Sequence, residues 1–149
     1  MEATSSAAGT QQLVVFALAG EEYGVPIARV QEIIDYTEPR SVASDTDWIC
    51  GVIGLRGRII PVYDLAARLR LERTHDDHAK IVIVDTAGSL AGIVVDNVSE
   101  VLTVDAEALD EAPGVSGGSV EAIAKLDDRL IVLLDLDATF DNAEPVAAA

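Results

Sequence analysis

Hydrophobic positions along the chain gather in short runs of four or five residues, rich in β-branched side chains and broken by Gly, Pro and Asp. Residues 13–16 (LVVF), 59–63 (IIPVY), 81–84 (IVIV), 92–95 (GIVV) and 130–134 (LIVLL) have the length and composition of strands. Helical signals are brief. Asp64 and Asp135 each stand as an N-cap, with Leu65 and Leu69, or Leu136 and Phe140, four apart on one face behind them. Ser44 is placed to cap a further turn through Asp45, Thr46, Asp47 and Trp48. Residues 1–11 and 141–149 carry no periodicity and are expected to be disordered tails. What lies between, 12–140, reads as one all-β domain with short helical turns.

The chain also matches itself. Displaced by 68 residues, 13–34 lies on 81–102 without a gap, pairing Val14 with Val82, Ala19 with Ala87, Gly20 with Gly88, Gly24 with Gly92, Val30 with Val98 and Glu32 with Glu100. Displaced by 71, 49–65 lies on 120–136, with Leu55/Leu126, Arg58/Arg129, Ile60/Ile131, Asp64/Asp135 and Leu65/Leu136 identical. Apolar runs match by chance, but Gly, Glu and Asp-Leu agreeing in order argue for a repeat. The expectation is two similar β units, about 12–70 and about 80–140, each marginal in size if it had to fold alone.

Composition narrows the class. The 149 residues are 50% hydrophobic with a mean hydropathy of +0.30, which sets the chain apart from disordered sequences. Ten Lys and Arg against 26 Asp and Glu leave a net charge of −16, a field that repels phosphate backbones and anionic lipid. Neither nucleic-acid binding nor direct membrane insertion is expected: no apolar run approaches 18 residues. The first residues lack the basic and apolar regions of a secretory signal, and the lone Cys50 has no disulfide partner in the chain. A reducing cytoplasm is the expected compartment. Lysine occurs only at Lys80 and Lys125, which suits either a high-salt cytoplasm or an arginine-favouring genome.

The candidate chemistry is sparse. Gly51-Val52-Ile53-Gly54-Leu55-Arg56-Gly57 is followed by a strand rather than a helix N-terminus, so it reads as a hairpin and not a phosphate cradle. Gly57 supplies a positive φ to the turn, which leaves Arg56 at an exposed tip. His75-Asp76-Asp77-His78 is the one cluster of imidazoles and carboxylates, but neighbouring residues converge poorly on one ion, so it reads as a linker without metal. Neither a Gly-x-Ser-x-Gly elbow nor a supported Cys–His pair is present, and no catalytic residue is assigned. Glu21-Glu22 reads as a hairpin tip. Arg68, Arg70 and Arg73 read as a solvated helix face; Arg56, alone in an apolar and glycine-rich stretch, reads as functional.

Three stretches carry a resemblance. Residues 30–33 (VQEI), 51–65 (GVIGLRGRIIPVYDL) and 92–101 (GIVVDNVSEV) are similar, in that order, to the CheW family of chemotaxis adaptors. The resemblance covers about residues 11–140, and its specific part is the central Leu-Arg-Gly turn followed by Pro-Val and Asp-Leu. It implies two pseudo-symmetric five-stranded SH3-like β-barrels around a shared hydrophobic core. It also implies a non-catalytic scaffold, without cofactor, that couples the cytoplasmic tip of methyl-accepting chemoreceptors to the regulatory domain of the histidine kinase CheA. Such a protein is cytoplasmic and is recruited to membrane-associated receptor arrays. Val30, Glu32, Gly51, Leu55 and Arg56 are then expected to line a receptor-binding groove between the barrels, with Gly57 and Asp64 structural in their turns. The family usually has Asn where this chain has Gly54, and often Gly where it has Ala122. The rival readings are an adaptor of a parallel array with another output, a metal-dependent hydrolase using the His75–His78 loop, and a ligand-binding β-barrel.

Overall fold

A computed structural model describes residues 9–41, 48–71, 79–86, 89–111, 120–126 and 128–139. The predicted cap at Ser44, the His75-Asp76-Asp77-His78 loop and most of both predicted tails lie outside the described residues. The strands run β1 Thr10–Leu18, β2 Glu21–Pro26, β3 Val30–Asp35, β4 Ile49–Leu55, β5 Arg58–Asp64, β6 Lys80–Thr86, β7 Ser89–Val95, β8 Asn97–Asp105, β9 Leu109–Glu111, β10 Val120–Leu126 and β11 Arg129–Leu134. Single turns of α-helix, α1 Leu65–Arg68 and α2 Leu136–Thr139, close the two halves behind Asp64 and Asp135. β1 starts earlier than the residue-12 boundary expected from sequence, because Thr10 and Gln11 pair with Asp105 and Val104. The β1–β2 turn is Ala19-Gly20, both with positive φ, so Glu21 and Glu22 open β2 and do not form the tip.

The all-β expectation holds, as two sheets. One has the order β8-β1-β2-β11-β10-β9 and the other β3-β6-β7-β5-β4, so a short sixth strand, β9, joins the five expected in the first. The sequence repeats, however, do not each form one barrel. The β1–β2 hairpin of the first repeat sits among strands of the second, and the β6–β7 hairpin of the second sits among strands of the first. Registers across the exchange are equivalent. Val15 faces Glu100 and Ile83 faces Glu32, while the parallel pairs set Leu133 beside Gly24 and Val62 beside Gly92.

Burial explains the exchange. Residues 13–16 of β1 and 81–84 of β6 are buried on both faces, as unbroken apolar runs require. Val14, Phe16 and Leu18 point with Val82 and Val84 into a shared core that also takes Tyr23, Val25, Ile93 and Val95. The alternate residues fill separate interiors: Leu13 and Val15 with Ile131 and Leu133 in one barrel, Ile81 and Ile83 with Ile60 and Val62 in the other. A repeat folded by itself would leave one face of its first strand in water.

Candidate functional site

The Leu55–Arg58 hairpin forms as its sequence dictates. Arg56 (φ 54°) and Gly57 (φ 79°) both adopt the left-handed region, the type I′ geometry that matches the twist of paired strands. Leu55 and Arg58 close the ladder beneath. The Arg56 guanidinium reaches back to β3, where Nε and Nη2 donate to Glu32 Oε2 at 2.9 Å and Oε1 at 3.0 Å. This fork holds the Glu32 carboxyl below the usual glutamate range and raises Arg56 further. The pair joins the two outermost strands of the five-stranded sheet, β3 and the β4 hairpin, at one end of that barrel.

Beside the pair opens a cleft of about 340 Å³ lined by Gln31, Glu32, Leu55, Arg56, Arg58, Ile60, Ile83 and Leu90. Ile60 and Ile83 are buried, Leu90 is half-buried, and the two arginines are exposed, so an apolar floor lies beneath two cations. All these residues belong to one sheet and its hairpin: the cleft lies at the end of a single barrel, whereas the resemblance placed it between the two. Glu32, Leu55 and Arg56 meet in it. Val30 does not; it packs on the shared core. Gly51 does not either. It is buried at φ +147°, and a Cβ there would stand 2.0 Å from the Arg40 carbonyl oxygen. Its role is steric and lies in the framework behind the cleft, since Arg40 and Val52 exchange backbone hydrogen bonds across it. At the matching bulge, Ala122 is absent from the left-handed region. Gly54 is exposed with open space about its Cβ position, and the ladder continues through Gly54 and Ile59.

Asp64 caps α1 as expected, its Oδ1 accepting from the Ala67 amide at 3.2 Å. Arg68 is not a solvated side chain. Its guanidinium lies 5.6 Å from the centre of the Trp48 ring and donates through Nε to the Thr139 carbonyl, tying α1 to α2. Arg58, Ile60, Ile83 and Leu90 were not singled out from the sequence as site residues; the repeat alignment carries the signal, because the same positions in the other half form a closed structure. There Arg129 donates to Glu22 (3.1 and 2.8 Å) and to Glu100 (2.8 Å), and its side chain is 38% exposed against 73% for Arg56. Among the described residues no three His, Cys, Asp or Glu side chains converge as a metal set, and no helix is long and apolar enough to cross a membrane.

Two interlocked β-barrels, with a charged cleft open at one barrel end and the equivalent end closed, define a paired-barrel scaffold. Comparison with known proteins specifies which. The CheW-like domain family matches residues 12–144. The chemotaxis protein CheW of Bacillus subtilis is 34% identical over 143 residues, covering 93% of this chain and 92% of that protein; CheW of Klebsiella aerogenes is 32% identical over 139 residues, covering 90% and 84%. The crystal structure of the scaffolding protein TtCheW from Thermoanaerobacter tengcongensis superposes with a TM-score of 0.84 at 35% identity, covering 90% of this chain and 95% of that one. The chain belongs to the CheW family, and its function is that of a non-catalytic chemotaxis coupling scaffold.

Proposed function

We propose that the barrel-end cleft receives the cytoplasmic tip of a chemoreceptor and that the outer barrel faces engage the regulatory domain of the kinase CheA, so that the protein is recruited to receptor arrays. The observation that carries the receptor assignment is the Arg56–Glu32 fork set above the Ile60–Ile83 floor. A helical hairpin docking in a groove needs apolar contact and a few oriented charges, and this cleft offers both. For the kinase, Ile59 and Leu130 occupy equivalent positions on β5 and β11 and are 66% and 61% exposed. Two such faces suit barrel-to-barrel pairing with a second CheW-like fold.

Affinity for a receptor cytoplasmic fragment tests the first part. Arg56→Glu sets two like charges face to face at Glu32 and is expected to weaken binding by at least about 30-fold. The side chain is exposed and fills no core space, so its thermal midpoint should stay within a few degrees of wild type. Arg70→Glu is the matched control, because Arg70 is exposed and shares the positive φ, whereas Arg68 is tied to Trp48 and Thr139. Unchanged affinity for Arg56→Glu would remove the cleft from the receptor interface.

A further inference from the structure

Three equivalent positions face one another at each barrel end. Glu22 of β2, opposite Ala17, matches Leu90 of β7, opposite Asp85. Glu100, opposite Val15, matches Glu32, opposite Ile83; Arg129, opposite Leu126, matches Arg58, opposite Leu55. In the six-stranded sheet the three close on one another, two carboxylates on one guanidinium. In the five-stranded sheet Leu90 stands where a carboxylate would be, and Glu32 pairs with the turn residue Arg56. Arg58 is left without an ion-pair partner among the described residues. The cleft therefore holds two arginines and one carboxylate, on a chain whose net charge is −16.

We propose that this cleft is a carboxylate-accepting site, in which an acidic side chain of the docking partner enters beside Leu90 and takes Arg58 and Arg56, supplying from outside what Glu22 supplies within the chain at the other end. The identity of the partner as the receptor hairpin rests on the function proposed above; the chemistry of the site rests on the two barrel ends. A second cation entering here would meet two guanidinium groups, while a carboxylate completes a pattern this fold already builds once. The Leu90, Ile60 and Ile83 surface excludes water from the contact, which strengthens a charge-assisted hydrogen bond. Leu90 is then the residue that keeps the site open: a carboxylate at its position would satisfy Arg58 internally.

The test uses Leu90→Glu and Leu90→Gln in the full chain. Leu90→Glu is expected to weaken binding of the receptor fragment by about tenfold or more, and Leu90→Gln, which removes the same apolar side chain without adding charge, by no more than about threefold. Wild-type affinity for Leu90→Glu overturns the proposal, and so does an equal loss in both variants, which would make Leu90 an apolar contact only. A second readout needs no receptor. In carbon-13 NMR titration the carboxyl introduced by Leu90→Glu should titrate below the ordinary glutamate range, as Glu22 does beside Arg129; an ordinary midpoint overturns the equivalence. If wild-type protein fails to bind the receptor fragment at all, the receptor assignment falls, and the titration alone decides the site.

Discussion

At one end of the six-stranded sheet Arg129 is gripped by Glu22 and Glu100, while at the matching end of the five-stranded sheet Arg58 faces Leu90 and Glu32 turns to the hairpin tip. The sequences that follow β4 and β10 differ as well: Arg56-Gly57 in one half aligns with Asp127-Asp128 in the other. Strand register is not the source of the difference, because it agrees at both ends. A handful of side chains converts one barrel end into a closed structural latch and leaves the other as a cleft. The repeat supplies the scaffold twice, and function is placed on one copy.

The largest effects should come from positions where the halves are alike. Leu13 and Ile81 are equivalent, fully buried, and fill the two separate barrel interiors. Leu13→Ala and Ile81→Ala should each cost about 2–5 kcal/mol, as other large-to-small core changes do. Because each hairpin is inserted in the other half's sheet, both variants should unfold in one transition by calorimetry. Two separated transitions, one of them unmoved by Leu13→Ala, would show that the barrels are energetically independent despite the exchange.

The glycines in the parallel pairs are alike in place but differ in clearance. A Cβ on Gly92 would stand 2.8 Å from Ile81 Cγ2, and one on Gly24 would stand 3.3 Å from Ile131 Cγ2. Gly92→Ala should therefore destabilise by about 1–3 kcal/mol, and Gly24→Ala by less, since a few tenths of an ångström must be found rather than a full shift. Denaturant midpoints rank the two. Equal losses would mean that the two interiors yield alike.

What was legible in the sequence follows range of interaction. The strand runs, the Asp64 cap and the Arg56-Gly57 turn are local patterns, and each forms as read. The repeat was legible too, because Gly24/Gly92 and Glu32/Glu100 keep their places for steric and electrostatic reasons in both halves. The exchange of hairpins was not. Nothing within 13–16 states that its second buried face will be covered by strands from the far half; only the pairing of β1 with β8 and of β2 with β11 does. For the site, Glu32, Leu55 and Arg56 were placed together by resemblance and do meet, whereas Gly51 and Val30 belong to the framework behind them. Leu90 was invisible until its partner across the repeat, Glu22, was seen holding an arginine.

The smallest expected effect separates the closed latch from the open cleft by pH. The Arg129 hydrogen bond, with its charge, holds the Glu22 carboxyl below the usual glutamate range, and the Arg56 fork does the same to Glu32. A carboxyl depressed in the folded state adds stability that is fully present above its unfolded pKa and is lost as pH falls through the folded value. Both contributions should therefore be intact at pH 7 and fade below about pH 4.5. Arg129→Met removes the partner of Glu22, and Arg56→Met that of Glu32; the Arg129 side chain is 38% exposed against 73% for Arg56, so its pair is the less screened by water. Of the two, Arg129→Met should flatten the acid limb of the stability curve more, and by less than either glycine substitution, because exposed pairs contribute little. The flattening should shrink in 1 M salt, where exposed pairs are screened. Equal flattening by both variants would mean that the lower exposure of Arg129 does not strengthen its hold on Glu22, and the closed end would lose its distinction from the open one.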